Sequence, residues 1–133
     1  MTNDNRPQAA VLVANSVAME VGTNNPVIIG AFNALQSRVF PARVGFYAVA
    51  KVWGMPVGEA KTCMIRLVDP ETKQVIGETG EHRFNVTSTT DVHTAISMFQ
   101  NVLVPKSGTY EVQVTTGGEA IGIFPLTIGS PKA

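Results

Sequence analysis

From residue 42 to residue 53 the chain alternates without a break. Val44, Phe46, Ala48, Ala50 and Val52 fall on one parity, and Arg43, Tyr47, Lys51 and Trp53 on the other. Successive side chains of a strand point to opposite faces, so this pattern builds a strand with one buried and one outward face. A helix would scatter the same residues around its circumference. Period-two alternation recurs along the chain, and helical periodicity is nearly absent. Val11, Val13, Val17, Met19 and Val21 share a parity before the turn Gly22-Thr23-Asn24-Asn25-Pro26. After the loop Gly54-Met55-Pro56-Val57-Gly58, Cys63, Ile65 and Leu67 form an inward set, and Asp69-Pro70-Glu71-Thr72-Lys73 makes a turn. Tyr110, Val112 and Val114 alternate next, and Gly117-Gly118 reads as a hairpin turn. Eighteen valines, thirteen threonines and eight isoleucines point the same way, because branched side chains suit a pleated surface.

Four segments are less regular. Val27 to Leu35 is apolar on both faces, which reads as a central strand covered on each side or lying at an interface. Gln74 to Phe84 is more polar and contains Gly77 and Gly80, hence a bulged or edge strand. Val92 to Val104 fits neither period throughout. A strand with a parity switch is the preferred reading there, with a short helical turn as the alternative. In the last strand, Ile121 to Ile128, Pro125 is expected to switch the inward set from Ile121 and Ile123 to Phe124, Leu126 and Ile128.

That makes about eight strands with short turns, which means a sandwich or a barrel. The run Pro105-Lys106-Ser107-Gly108-Thr109-Tyr110-Glu111-Val112 is one reason to choose the sandwich. A glycine turn into a strand opening with Tyr resembles the tyrosine corner of immunoglobulin-like sandwiches, whose hydroxyl ties back to the backbone. The expected fold is therefore all-β: a two-sheet antiparallel sandwich, immunoglobulin-like, with about eight strands. Residues 9–129 form a single β-sandwich domain in this reading, behind a flexible N-terminal tail over residues 1–8.

Several segments together resemble an uncharacterised bacterial family, a domain of unknown function expected to be a β-sandwich. They are Val11-Leu12-Val13-Ala14, then Asn25-Pro26-Val27-Ile28-Ile29-Gly30-Ala31-Phe32 with Phe40-Pro41 behind it, Ile65-Arg66-Leu67-Val68-Asp69, and Gly108-Thr109-Tyr110. The resemblance covers about residues 9 to 128 and implies a bacterial or phage origin. It implies no activity.

Composition narrows the function classes. Ten basic and ten acidic side chains cancel, which argues against a general nucleic-acid binder. Charged residues are 15% of the chain and hydrophobic residues 44%, enough for a core. The polar start Met1-Thr2-Asn3-Asp4-Asn5-Arg6-Pro7 lacks the basic region of a signal peptide, and no window is apolar enough for a membrane helix. The expected location is cytoplasmic, and no cofactor is expected. Dinucleotide and Walker patterns are absent, and Ser16 and Ser107 have no nucleophile-elbow context. Cys63 sits at an apolar parity, as a buried inert thiol would. The weak metal candidate is His82 with His93, beside Glu78, Glu81 and Asp91. Those histidines lie opposite each other only if residues 74 to 84 hairpin with residues 92 to 104.

The outward face of residues 42–53 carries more. If the next strand paired with it as a hairpin, Tyr47 would lie near Arg66 and Val49 near Met64. One surface would then hold Tyr47, Trp53, Met64 and Arg66, a composition typical of protein interfaces. The same set suits stacking of sugars or bases, and it could equally be covered by another strand, a loop or the tail. The function read from the sequence is a non-enzymatic interaction module that self-associates as a homo-oligomer or binds a protein partner. The alternatives are a sandwich holding a sugar or nucleotide and, last, a metal-dependent enzyme.

Overall fold

A computed structural model describes residues 6–23 and 25–130. Ten strands occur among them: β1 (Gln8–Met19), β2 (Pro26–Phe32), β3 (Ala34–Gln36), β4 (Ala42–Trp53), β5 (Gly58–Val68), β6 (Val75–Glu78), β7 (His82–Val86), β8 (Val92–Val104), β9 (Gly108–Thr116) and β10 (Glu119–Gly129). They form two layers. One sheet has the order β2-β1-β4-β8, and the other β3-β10-β9-β5-β6, with β7 also on β5. All pairings are antiparallel except β3 with β10. The fold is the expected immunoglobulin-like two-sheet sandwich, with ten strands in place of eight because two segments divide.

Val27 to Leu35 is the first. It is not a central strand: it breaks at Asn33 into β2 and β3, which close opposite sheets as edges. Gln74 to Phe84 is the second, broken around Gly80 into β6 and β7, which lie end to end along β5. Most of the tail expected over residues 1–8 lies outside the described residues; Gln8 already belongs to β1, opposite Trp53. Among the described residues no helix is long and apolar enough to cross a membrane.

The core is the parity set of the sequence. Phe46, Ala48, Ala50 and Val52 from one layer meet Ile65, Leu67, Val112 and Val114 from the other, all buried, with Val44 half-buried at the rim. Phe46 stacks on Phe99 of the neighbouring strand with ring centroids 4.7 Å apart. Tyr110 is buried, and its hydroxyl donates to the Lys106 carbonyl at 2.5 Å, the corner that its place after the turn foretold. Burial raises its phenol pKa above the ordinary value, outweighing that hydrogen bond.

The parity switch in β8 is a β-bulge. Val44 faces Val102 and Phe46 faces Phe99, so two residues of β8, Gln100 and Asn101, stand against Gly45 alone. Asn101 adopts φ 52°, the left-handed conformation that Asn tolerates better than branched residues. The inward set changes there from Ala95, Ser97 and Phe99 to Val102 and Val104. In β10 the register shifts between Ala120 and Gly122, and not at Pro125. Gly122, Phe124, Leu126 and Ile128 therefore point inward, and Ile123 is exposed. Pro125 disturbs nothing. Thr127 N–H donates towards Asn33, so the N–H that Pro125 lacks would have pointed the same way, beyond the start of β3.

Candidate interaction face

β4 and β5 do not form a hairpin. The connection Gly54 to Val57 carries the chain over the core into the other layer, with Gly54 at φ 74° and Met55 buried beneath it. A Cβ on Gly54 would lie 2.7 Å from the Arg6 carbonyl oxygen, so this crossing needs glycine twice over. Tyr47 and Trp53 consequently lie on the outside of one layer, and Met64 and Arg66 on the outside of the other. The single surface expected from those four residues is not formed, because β4 pairs with β1 and β8, and β5 with β9, β6 and β7.

The two outer faces differ in chemistry. On the six-stranded sheet Arg66 stands between Glu78 and Gln113. Its Nε donates to Gln113 Oε1 at 3.2 Å, and Gln113 Nε2 donates to Glu111 Oε1 at 3.0 Å. Thr116 Oγ1 donates to the Thr62 carbonyl beside it, at 2.8 Å. Met64 sits in this polar ladder facing Thr115, next to a shallow groove of about 230 Å³ shared with Arg66 and Gly117. Such a face satisfies itself.

The four-stranded sheet turns apolar rungs outward. By register, one rung runs Ala31, Ala14, Tyr47, Met98 and the next Leu12, Val49, Ile96. Beyond them come Ala10, Lys51, Thr94 and then Gln8, Trp53, Val92. Val49 and Ala14 are buried by their neighbours alone, while Val92 is 60% and Met98 47% exposed. The one charged side chain in these rungs, Lys51, donates to Thr94 Oγ1 at 2.6 Å. Tyr47 and Trp53 are half-buried within this surface. The structure thus keeps two of the four expected residues together and supplies Met98, Val92 and Ile96 from β8. Parity alone did not assign those to this face, because the bulge hides which of the two β8 sets is inward.

The histidines are not brought together by pairing. β7 pairs with β5 and β8 with β4, so His82 and His93 belong to opposite layers. His82 Nε2 shares a 2.8 Å hydrogen bond with Ser97 Oγ, which is also 2.8 Å from Thr79 Oγ1. Burial lowers the His82 pKa from the ordinary imidazole value. His93 stacks on Phe84 with centroids 4.8 Å apart, and its buried Nε2 has no hydrogen-bond partner. Asp91 accepts the Thr87 and Ser88 backbone N–H groups and the Thr87 hydroxyl, which, led by the Thr87 backbone bond, lower its pKa and close the Thr-rich loop. Among the described residues no group of three or more His, Cys, Asp or Glu gathers to hold a metal. Cys63 is buried, and burial pushes its thiol up to about 11. A larger open groove, about 530 Å³, separates the edge strands β6 and β8 and is lined by Gly77, Glu78, Phe99, Asn101 and Val102 among others.

Solved structures with a similar arrangement include an immunoglobulin-like protein from Pseudomonas aeruginosa, 12% identical, with a TM-score of 0.44 over 92% of this chain and 96% of that one. A β-glucosidase from Listeria innocua, solved with isofagomine, is 10% identical with a TM-score of 0.47. That likeness covers 96% of this chain but only 17% of the glucosidase. No curated protein is similar enough to the chain to count as a match. The sequence matches one family over residues 9–129, so the chain belongs to DUF6941, a family of unknown function.

Proposed function

We propose that the chain is a non-enzymatic interaction module that self-associates through the outer face of its four-stranded sheet, with a second copy as the occupant. The observation that carries this reading is the contrast between the two outer faces, one a hydrogen-bonded polar ladder and the other apolar and open. Four strands about 4.8 Å apart, over about eight residues at ~3.3 Å each, make a face of roughly 500 Å². Two copies stacked on it bury about 1,000 Å² in total, the lower bound for a specific interface. Zero net charge leaves no long-range repulsion between copies. Tyr47 and Trp53 supply the aromatic anchors, and the Lys51 ammonium, which donates to the neutral Thr94 hydroxyl, is the cation beside them.

The test is light scattering at low micromolar concentration with the Val92→Asp, Met98→Asp double variant. Both side chains are exposed, so the fold tolerates the change while the face acquires buried carboxylates in a face-stacked dimer. The expected result is an oligomeric wild type and a variant of lower mass; a monomeric wild type overturns the proposal. A second reading, a sandwich that binds a sugar or nucleotide, is favoured by the groove between β6 and β8. Its volume falls within the range of small-ligand sites. A thermal shift with such a ligand, abolished by Gly77→Leu, supports that alternative.

A further inference from the structure

The same sheet ends in an edge with the features of a second contact. β2 is its terminal strand and, among the described residues, has β1 as its one neighbour. Its sequence, PVIIGAF, contains no charge, and its proline is at the first position. Edge strands are ordinarily blunted by charge, shortness, bulges or a covering element. The other edges have these devices: β3, β6 and β7 are 3, 4 and 5 residues long. β8 is bulged at Asn101 and tied across to the other layer through Ser97 and Thr79. β2 has only a bend at Gly30, with φ 68°. Its side chains are open on both sides, Ile29 on the outer face at 51% and Ile28 on the inner at 36%.

The register shows which main-chain groups are free. Glu20 N–H donates to the Asn25 carbonyl at 2.8 Å, which marks that facing pair as hydrogen-bonded. Such pairs alternate along an antiparallel ladder. Along the β1–β2 register, Val27 and Ile29 then turn their main-chain groups toward β1, and Pro26, Ile28 and Gly30 toward the open edge.

We propose that β2 pairs antiparallel with β2 of a second copy, centred on Ile28, joining two four-stranded sheets into one. Each Ile28 exchanges both main-chain hydrogen bonds with its counterpart, and each Gly30 N–H donates to the opposite Pro26 carbonyl. Val27 then meets the second copy's Ile29, apolar on apolar. The inference rests on the self-association reading and adds an independent contact to it. The two-fold axis of edge pairing stands perpendicular to the sheet, whereas that of face stacking lies between the stacked faces. Where the two axes intersect, they close four chains in D2 symmetry.

Sedimentation of the full chain separates the contacts. The wild type is expected at four times the 14.1 kDa chain mass. Ile28→Pro removes an N–H that β1 does not use and is expected to halve the assembly. Ile28→Lys, a charge on the same edge, does the same if proline distorts the strand. Val92→Asp with Met98→Asp halves it through the face, and the combined variant is monomeric. In the wild type the Ile28 and Gly30 amides exchange slowly with solvent; fast exchange of both overturns the edge pairing. So does a mass untouched by either Ile28 variant, and if the face variant still lowers that mass, the face reading stands. A dimer dissolved only by the Ile28 variants keeps the edge pairing and removes the face reading. A monomeric wild type overturns both.

Discussion

At Tyr110 one hydroxyl holds the turn that starts β9. The hydrogen bond to Lys106 spans four residues and is part-buried beneath the turn, so its loss leaves the Lys106 carbonyl without that partner. Tyr110→Phe should therefore lower stability by about 0.5–1.5 kcal/mol in urea unfolding, with an unchanged fold. Cys63 invites a chemical check. With its thiol pushed up to about 11 and its side chain buried, it should resist a thiol reagent until the chain unfolds. His82 adds a pH dependence whose sign follows from its lowered pKa. The unfolded imidazole takes a proton near pH 6.5, and the folded one, held neutral by burial beside Ser97, only below that. The stabilisation is complete above pH 6.5 and is lost as pH falls through the folded value. Unfolding midpoints measured between about pH 7 and 5 should decline in the wild type, and less steeply in His82→Gln.

Strands obey the same logic one level up, where parity was readable and pairing was not. The inward sets of β4, β5 and β9 follow directly from alternation, because a slip of one residue would expose each set whole. The switch within Val92 to Val104 was also legible as a change of parity. Its cause, Asn101 in the left-handed region, leaves no pattern in the sequence that separates a bulge from a helical turn. Asn101→Val should cost about 1–2 kcal/mol through that conformation alone, while Asn101→Gly should be tolerated. In β10 the glycine at 122 is the informative residue. A Cβ there would lie 2.5 Å from the Ala9 carbonyl oxygen, where β1 crosses β10 closely, so Gly122→Ala must push the layers apart. Pro125 looked like the switch only because its missing N–H is conspicuous in sequence. The β4–β5 connection misled for a similar reason. A short loop between alternating strands usually makes a hairpin, and nothing local distinguishes one that crosses to the facing sheet. Only the buried Met55 records the crossing, and its burial depends on residues from both layers.

For the whole molecule, that crossing decides what the surface can do. Had β4 and β5 paired, Arg66 would have put a free cation among Tyr47 and Trp53. Separated, the residues sort into a polar outer face and an apolar one, so the sequence named half of the candidate site and the topology completed it. The sorting also sets the physical character of the proposed association. The apolar face carries the cations Lys51 and, on the same outward parity, Arg43, but no carboxylate in its rungs. β2 carries no charge, so raising salt breaks no charge pair between copies. Burial of apolar surface should instead respond to ions excluded from the protein surface. We expect the dissociation constant to stay within about twofold between roughly 0.05 and 0.5 M sodium chloride, and to fall on adding sulfate at the same ionic strength. Trp53 reports both, since its half-buried ring lies on the apolar face and its emission should move to longer wavelength as the assembly dissociates on dilution. If sodium chloride alone dissolves the assembly while Trp53 emission stays unchanged, charge pairs away from the apolar face hold the copies together. The contact would then belong to the Glu78–Arg66–Gln113 ladder on the opposite sheet.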